Sequence, residues 1–94
     1  MTITTHAIRR YKQRIGRRTA SRRRIITQIN RDLERDVQYR KPSKVQGHYI
    51  LVTSKYQAVC FKQKVVTITS LSEDVTNFDY EEGMEEEEVV GVIA

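Results

Sequence analysis

The chain has 94 residues, enough for one small domain with one modest core. Hydrophobic residues make up 38% and charged residues 31%, with a net charge of +5, which suits a polar globular domain better than a disordered chain. No apolar run approaches the ~18 residues of a membrane span, no apolar stretch marks a signal peptide, and the lone Cys60 excludes a disulfide framework or a cysteine-based zinc site and favours a cytoplasmic setting.

The first predicted element is a helix over about residues 6–15. Thr4 or Thr5 can cap its start and Gly16 can sit just past its end. Ala7, Ile8, Tyr11 and Ile15 share one face of it, the face expected to pack on a core. Thr19 or Ser21 can cap a second helix, about residues 21–37. Its Ile25, Ile26, Ile29, Leu33 and Val37 form an apolar arc, opposite Arg24, Arg31 and Arg35. The segment Arg40–Gly47 holds the only proline and reads as a loop. Three β-branched and aromatic runs follow, His48–Ser54, Gln57–Phe61 and Lys64–Leu71, separated by very short turns. Val37–Tyr39 can add a short edge strand. The expected fold class is α+β: two N-terminal helices packed on a three- to four-stranded antiparallel sheet, followed by an acidic C-terminal tail. The domain spans residues 1–71. The tail, 72–94, is expected to be flexible, and its apolar end Val89–Ala94 can form a short strand or a docking peptide.

The charge is polarised along the chain. Residues 1–44 carry fourteen Lys/Arg against three Asp/Glu, whereas residues 71–94 carry nine Asp/Glu and no Lys or Arg. So positive a body attracts polyanions, and RNA or other nucleic acid is the expected partner. The densest basic run is Arg17–Arg24, with Arg17, Arg18, Arg22, Arg23 and Arg24 just before or within the start of the second helix. Phosphate binding is expected there. Arg9 and Lys12 point towards solvent on the first helix.

His6, Arg10 and Arg14 are spaced i, i+4, i+8. At 100° per residue they drift by only ~40° per step, so they form one stripe beside the apolar face. Metal-free RNA cleavage needs a base for the 2′-OH proton, an acid for the leaving oxygen, and fixed positive charge on the phosphate. Histidine can serve as base or acid, arginine as phosphate clamp, and a strand hydroxyl such as Thr67 can add a hydrogen bond. The same pattern also describes a solvated basic helix that grips phosphates without chemistry. Both alternatives stay open on the residues alone.

The stretch "HAIRRYKQR" fits an HAxxRxxxR pattern at His6, Ala7, Arg10 and Arg14, and "HYILV" and "VVTIT" follow it. In that order the chain resembles small bacterial and phage domains of the RelE-like, or barnase–EndoU–colicin–RelE, group of ribonuclease folds, over about residues 3–71. The resemblance implies a toxin-type, metal-independent endoribonuclease with helices followed by a four-stranded antiparallel sheet. It assigns the site to His6, Arg10, Arg14 and Thr67, with no cofactor and no metal. A non-enzymatic phage or bacterial protein that binds nucleic acid, or inhibits a host nucleic-acid-processing or defence protein, is the alternative.

His48 at a strand end and Cys60 in mid-strand are read as structural, as are the strand tyrosines Tyr49 and Tyr56, although tyrosines can stack on bases. The acidic tail can fold back over the basic body, recruit a protein partner, or stay solvated.

Overall fold

The computed structural model describes residues 1–43 and 45–72, together with the two-residue strand Val89–Val90. In chain order the elements are β1 (Thr2–Thr4), α1 (Thr5–Ile15), α2 (Arg22–Arg35), β2 (Val37–Pro42), β3 (His48–Thr53), β4 (Gln57–Phe61), β5 (Lys64–Thr69) and β6 (Val89–Val90). The strands form one sheet in the order β2-β3-β4-β5-β1-β6. From β2 to β5 the pairing is antiparallel, but β1 lies parallel to β5, with Ile3 opposite Val65. The α+β class and the two N-terminal helices stand as read. The sheet does not: it is mixed and holds six strands among the described residues, not three or four antiparallel ones. The difference is Thr2–Thr4, too short to show a period, which becomes a strand only because β5 offers it an edge.

Capping sets the helix bounds. Thr4 accepts from the Ala7 amide at 3.1 Å, and its hydroxyl donates to the Val66 carbonyl at 3.0 Å, so one residue ties β1, α1 and β5 together. Gly16, at φ 92°, closes α1 with a left-handed residue, and its amide donates to the Lys12 carbonyl. Ser21 caps α2 by accepting from the Arg24 amide at 3.2 Å.

The second helix stops at Arg35, two residues before the expected Val37. Asp36 accepts from the Ser54 amide at 3.1 Å and the Ser54 hydroxyl at 2.6 Å. These bonds turn the chain towards β3, and Val37 pairs with Thr53 instead of completing the apolar arc; it is 37% exposed. The expected loop Arg40–Gly47 is likewise shorter, because β2 runs through Pro42. A proline is tolerated there because β2 is an edge strand whose outer side needs no ladder bond.

The short turns close without Asn-Gly chemistry. The Thr53 hydroxyl donates to the Tyr56 carbonyl and accepts from the Lys55 and Tyr56 amides. At the next turn Lys62 adopts φ 54°, and the Tyr49 hydroxyl donates to its carbonyl at 2.7 Å.

The core between helices and sheet holds Ile3, Ala7, Ile8, Tyr11, Ile25, Ile26, Ile29, Tyr56, Ala58, Cys60, Val65 and Ile68. Ile15 and Leu33 pack half-buried against it. Burial of the Cys60 side chain pushes its thiol up to about 12, in keeping with a small core hydrophobe. A separate cluster, Ile50, Val52 and Val59, marks the opposite face of the sheet. An irregularity between Val59 and Cys60 sets Val59 opposite Thr67 and Cys60 opposite Val65. That extra residue on β5 decides which face Thr67 takes.

Candidate nucleic-acid interface

The apolar face of α1 turns Ala7, Ile8 and Tyr11 into the core, and this fixes the angular position of every basic residue on the helix. His6 stands in its first turn and is 5% exposed, deeper than a border position. Arg10 Nε donates to His6 Nε2 at 3.4 Å, and Arg10 Nη1 donates to Gln13 Oε1 at 3.0 Å. Arg14 Nη1 reaches the Ile68 carbonyl on β5 at 3.4 Å. The stripe His6–Arg10–Arg14 is therefore real as a spatial unit, and its far end is tied to the sheet.

Thr67 does not join this stripe. It pairs with Val59 and shares that residue's side of the sheet, the side away from the helices, where it is 3% exposed. A strand without the irregularity would alternate differently, and no sequence signal at "VVTIT" announces the extra residue. The carbonyl of Ile68, rather than a threonine hydroxyl, is what the strand presents to Arg14.

The inter-helix run organises into concave surface. A groove of about 510 Å³ lies along the first half of α2, and Arg17, Arg23, Arg24 and Arg31 are among its walls, with Ser21, Thr27 and Gln28. A second, smaller cleft of about 230 Å³ lies between the starts of α1 and α2, lined by Thr5, Ile8, Arg9, Lys12 and Arg22. Arg22 crosses between the helices, and its Nη2 donates to the Thr5 hydroxyl at 3.1 Å. Arg18 is exposed and lines neither cleft. Lys12 is half-buried rather than fully solvated. Arg31, Thr27 and Gln28 were not marked by sequence as part of a binding set. Their spacing from Arg24, i+7 for Arg31, i+3 for Thr27 and i+4 for Gln28, was the available signal.

The arrangement suits phosphate. Each guanidinium offers a rigid fork of donors that stays charged at any physiological pH. Serine and threonine hydroxyls and a glutamine amide between the arginines supply further donors. Groups of three or more His, Cys, Asp or Glu that could hold a metal are absent among the described residues.

The aromatic candidates serve the fold. Tyr56 is fully buried, and its hydroxyl donates to Asp32 Oδ2 at 2.8 Å. Tyr49 carries the Arg40 guanidinium over its ring at 4.2 Å. His48 stacks on Phe61 with centroids 4.7 Å apart, and its Nδ1 lies 3.0 Å from the Gln46 carbonyl. None of the three presents an open ring face among the described basic clefts.

Comparison with family models, with curated proteins and with solved structures returned no match. Among the described residues no helix is long and apolar enough to cross a membrane. The class that fold and surface define is thus an α+β domain with a basic helix layer.

Proposed function

We propose that this chain is an RNA-binding domain that grips the phosphodiester backbone with its helix layer. The observation that carries the reading is the groove along α2, where four arginines line one concave surface instead of being spread over a convex one. Concavity places several guanidinium groups within reach of one bent chain of phosphates, and each neutralised phosphate releases counterions. Arg9, Lys12 and Arg22 extend the same basic surface across to α1. The lone buried thiol and an RNA partner both fit a cytoplasmic setting.

The direct test is fluorescence anisotropy with a short single-stranded oligoribonucleotide at several salt concentrations. Binding that weakens with salt, and weakens further in Arg23→Gln/Arg24→Gln, supports the reading. Binding that is absent at low salt, or indifferent to these arginines, overturns it.

A second reading, metal-independent RNA cleavage of the RelE-like kind, is favoured by the contact between Arg10 and His6. An imidazole beside a fixed cation is the pairing such chemistry uses for an acid or base next to a phosphate clamp. Thr67 has no part in it, and Arg14 would clamp from its seat on β5. Incubation with RNA in EDTA, beside His6→Ala, separates binding from cleavage. Product that disappears with His6 establishes the enzyme; intact RNA with both proteins leaves the binding domain.

A further inference from the structure

α2 stands as a low ridge between two basic clefts. The cleft towards α1 holds Arg9, Lys12 and Arg22, and the larger groove holds Arg23, Arg24 and Arg31. At about 100° per residue, Arg24 and Arg31 lie roughly 200° and 180° round the helix from Arg22, so they leave it on the opposite side. Ile25, Ile26, Ile29 and Asp32 turn the inner side of α2 into the core. Only about half of its ~10–12 Å diameter therefore stands proud. No acidic side chain lines either cleft among the described residues. The Asp32 carboxylate is buried and held by Tyr56 and Gln28.

Proteins that hold unpaired strands combine a basic groove with aromatic faces on which bases stack. These clefts offer the first without the second. Among the described residues, Tyr11 and Tyr56 are buried in the core, the Arg40 guanidinium covers the Tyr49 ring, and His48 stacks on Phe61. Tyr39 is exposed, but it pairs with Val52 on the side of the sheet away from the helices. Base-paired RNA asks for no such platform, because its bases already stack on one another. Proteins hold it by phosphates and 2′-hydroxyls across a wide, shallow minor groove. A low ridge with cations on both sides matches that shape. The major groove of B-form DNA is about 8.5 Å deep, more than such a ridge can fill.

We propose that the RNA taken by this domain is double-stranded, with α2 lying over the minor groove. One phosphate backbone rests on Arg9, Lys12 and Arg22, and the opposing backbone on Arg24 and Arg31. The proposal rests on the RNA-binding reading and names the form of RNA. A single strand must bend over the ridge to fill both clefts, whereas a duplex presents two backbones already held at a fixed spacing. Contacts to phosphates carry no base information, so the binding is indifferent to sequence.

The test measures fluorescence anisotropy at low salt with three ligands: an RNA duplex of about 16 base pairs, a DNA duplex of the same sequence, and an oligouridylate of the same length. The RNA duplex is expected to bind more tightly than either of the others, on the order of tenfold. Lys12→Gln/Arg22→Gln and Arg24→Gln/Arg31→Gln each disable one side of the ridge, and each is expected to remove most of that preference. Lys55→Gln/Lys62→Gln removes the same charge at exposed turns of the sheet and is expected to leave it. Oligouridylate or DNA duplex bound as tightly as the RNA duplex overturns the proposal while RNA binding itself stands. So does a preference that survives the loss of either side, or one that falls equally in the turn variant. If none of the RNAs binds, the RNA-binding reading falls and the proposal falls with it.

Discussion

Tyr56 and Asp32 show how much one buried polar contact controls. The Tyr56 hydroxyl donates to Asp32 Oδ2, and Gln28 Nε2 donates to Oδ1 at 2.8 Å, so a carboxylate only 5% exposed has a donor on each oxygen. Burial, followed by the hydrogen bond to Asp32, pushes the Tyr56 phenol far up, so it stays a donor at every working pH. Tyr11 packs edge-on to Tyr56 with centroids 5.6 Å apart. Tyr56→Phe keeps the ring and removes the donor. The expected loss is about 1–3 kcal/mol, the desolvation cost of the stranded oxygen, measured by urea unfolding. A variant as stable as the parent would show that water replaces the hydroxyl. Asp36 supplies a pH-dependent counterpart. The hydroxyl and then the amide of Ser54 hold its carboxyl below the ordinary value of 3.8. A depressed folded-state pKa adds stability above the unfolded value and loses it as pH falls through the folded one. Asp36→Asn is therefore expected to flatten the acid limb of the stability curve below about pH 4. Parallel acid limbs in parent and variant would refute the role.

At the scale of elements, both ends of α1 and the start of α2 are set by residues next to them in sequence, whereas the end of α2 and the strands owe their limits to partners far away. Gly16 ends α1 at φ 92°, and a Cβ there would meet nothing within 4 Å. Gly16→Ala is thus a pure backbone penalty, about 1 kcal/mol, and Gly16→Asn less, because asparagine tolerates the left-handed region. Gly47, at φ 81°, differs: a Cβ would sit 2.8 Å from Phe61 Cε2, so the ring stacked on His48 must also shift. Thermal unfolding should rank the losses Gly47→Ala above Gly16→Ala above Gly16→Asn. Equal losses at the two glycines would mean that Phe61 yields without cost. The apolar faces of both helices were legible from their spacing, and so were the cores of β3, β4 and β5. The end of α2 was not, because Ser54 draws Asp36 away from a helical pattern that Val37 would otherwise continue.

At the scale of the whole molecule, charge and topology act together. Arg17, Arg23, Arg24 and Arg31 line one concave surface of the helix layer and Arg9, Lys12 and Arg22 another, and the sheet brings β6 to the edge beside β1. For single-stranded RNA, each phosphate neutralised contributes about 0.7 to the slope of log affinity against log salt. Arg23→Gln/Arg24→Gln is expected to reduce that slope by about 1.4 if both arginines contact phosphate. Lys55→Gln, at the β3–β4 turn, is expected to leave it unchanged. A slope that falls equally in both variants would point to general attraction instead of a located site.

Helix positions, their buried faces, the basic body and the placement of His6, Arg10 and Arg14 on one stripe were determined by the sequence itself. Each depends on a period of 3.6 residues or on a cap next to the helix, and such signals are local. The tertiary structure alone decided that Thr2–Thr4 forms a parallel strand and that Thr67 faces away from α1. It also brought Val89–Val90 beside β1. Those outcomes depend on which strand lies next to which, and on one extra residue in a ladder. Pairing over such distances is set by the whole chain's need to satisfy its backbone and bury its core, and short segments carry no record of it.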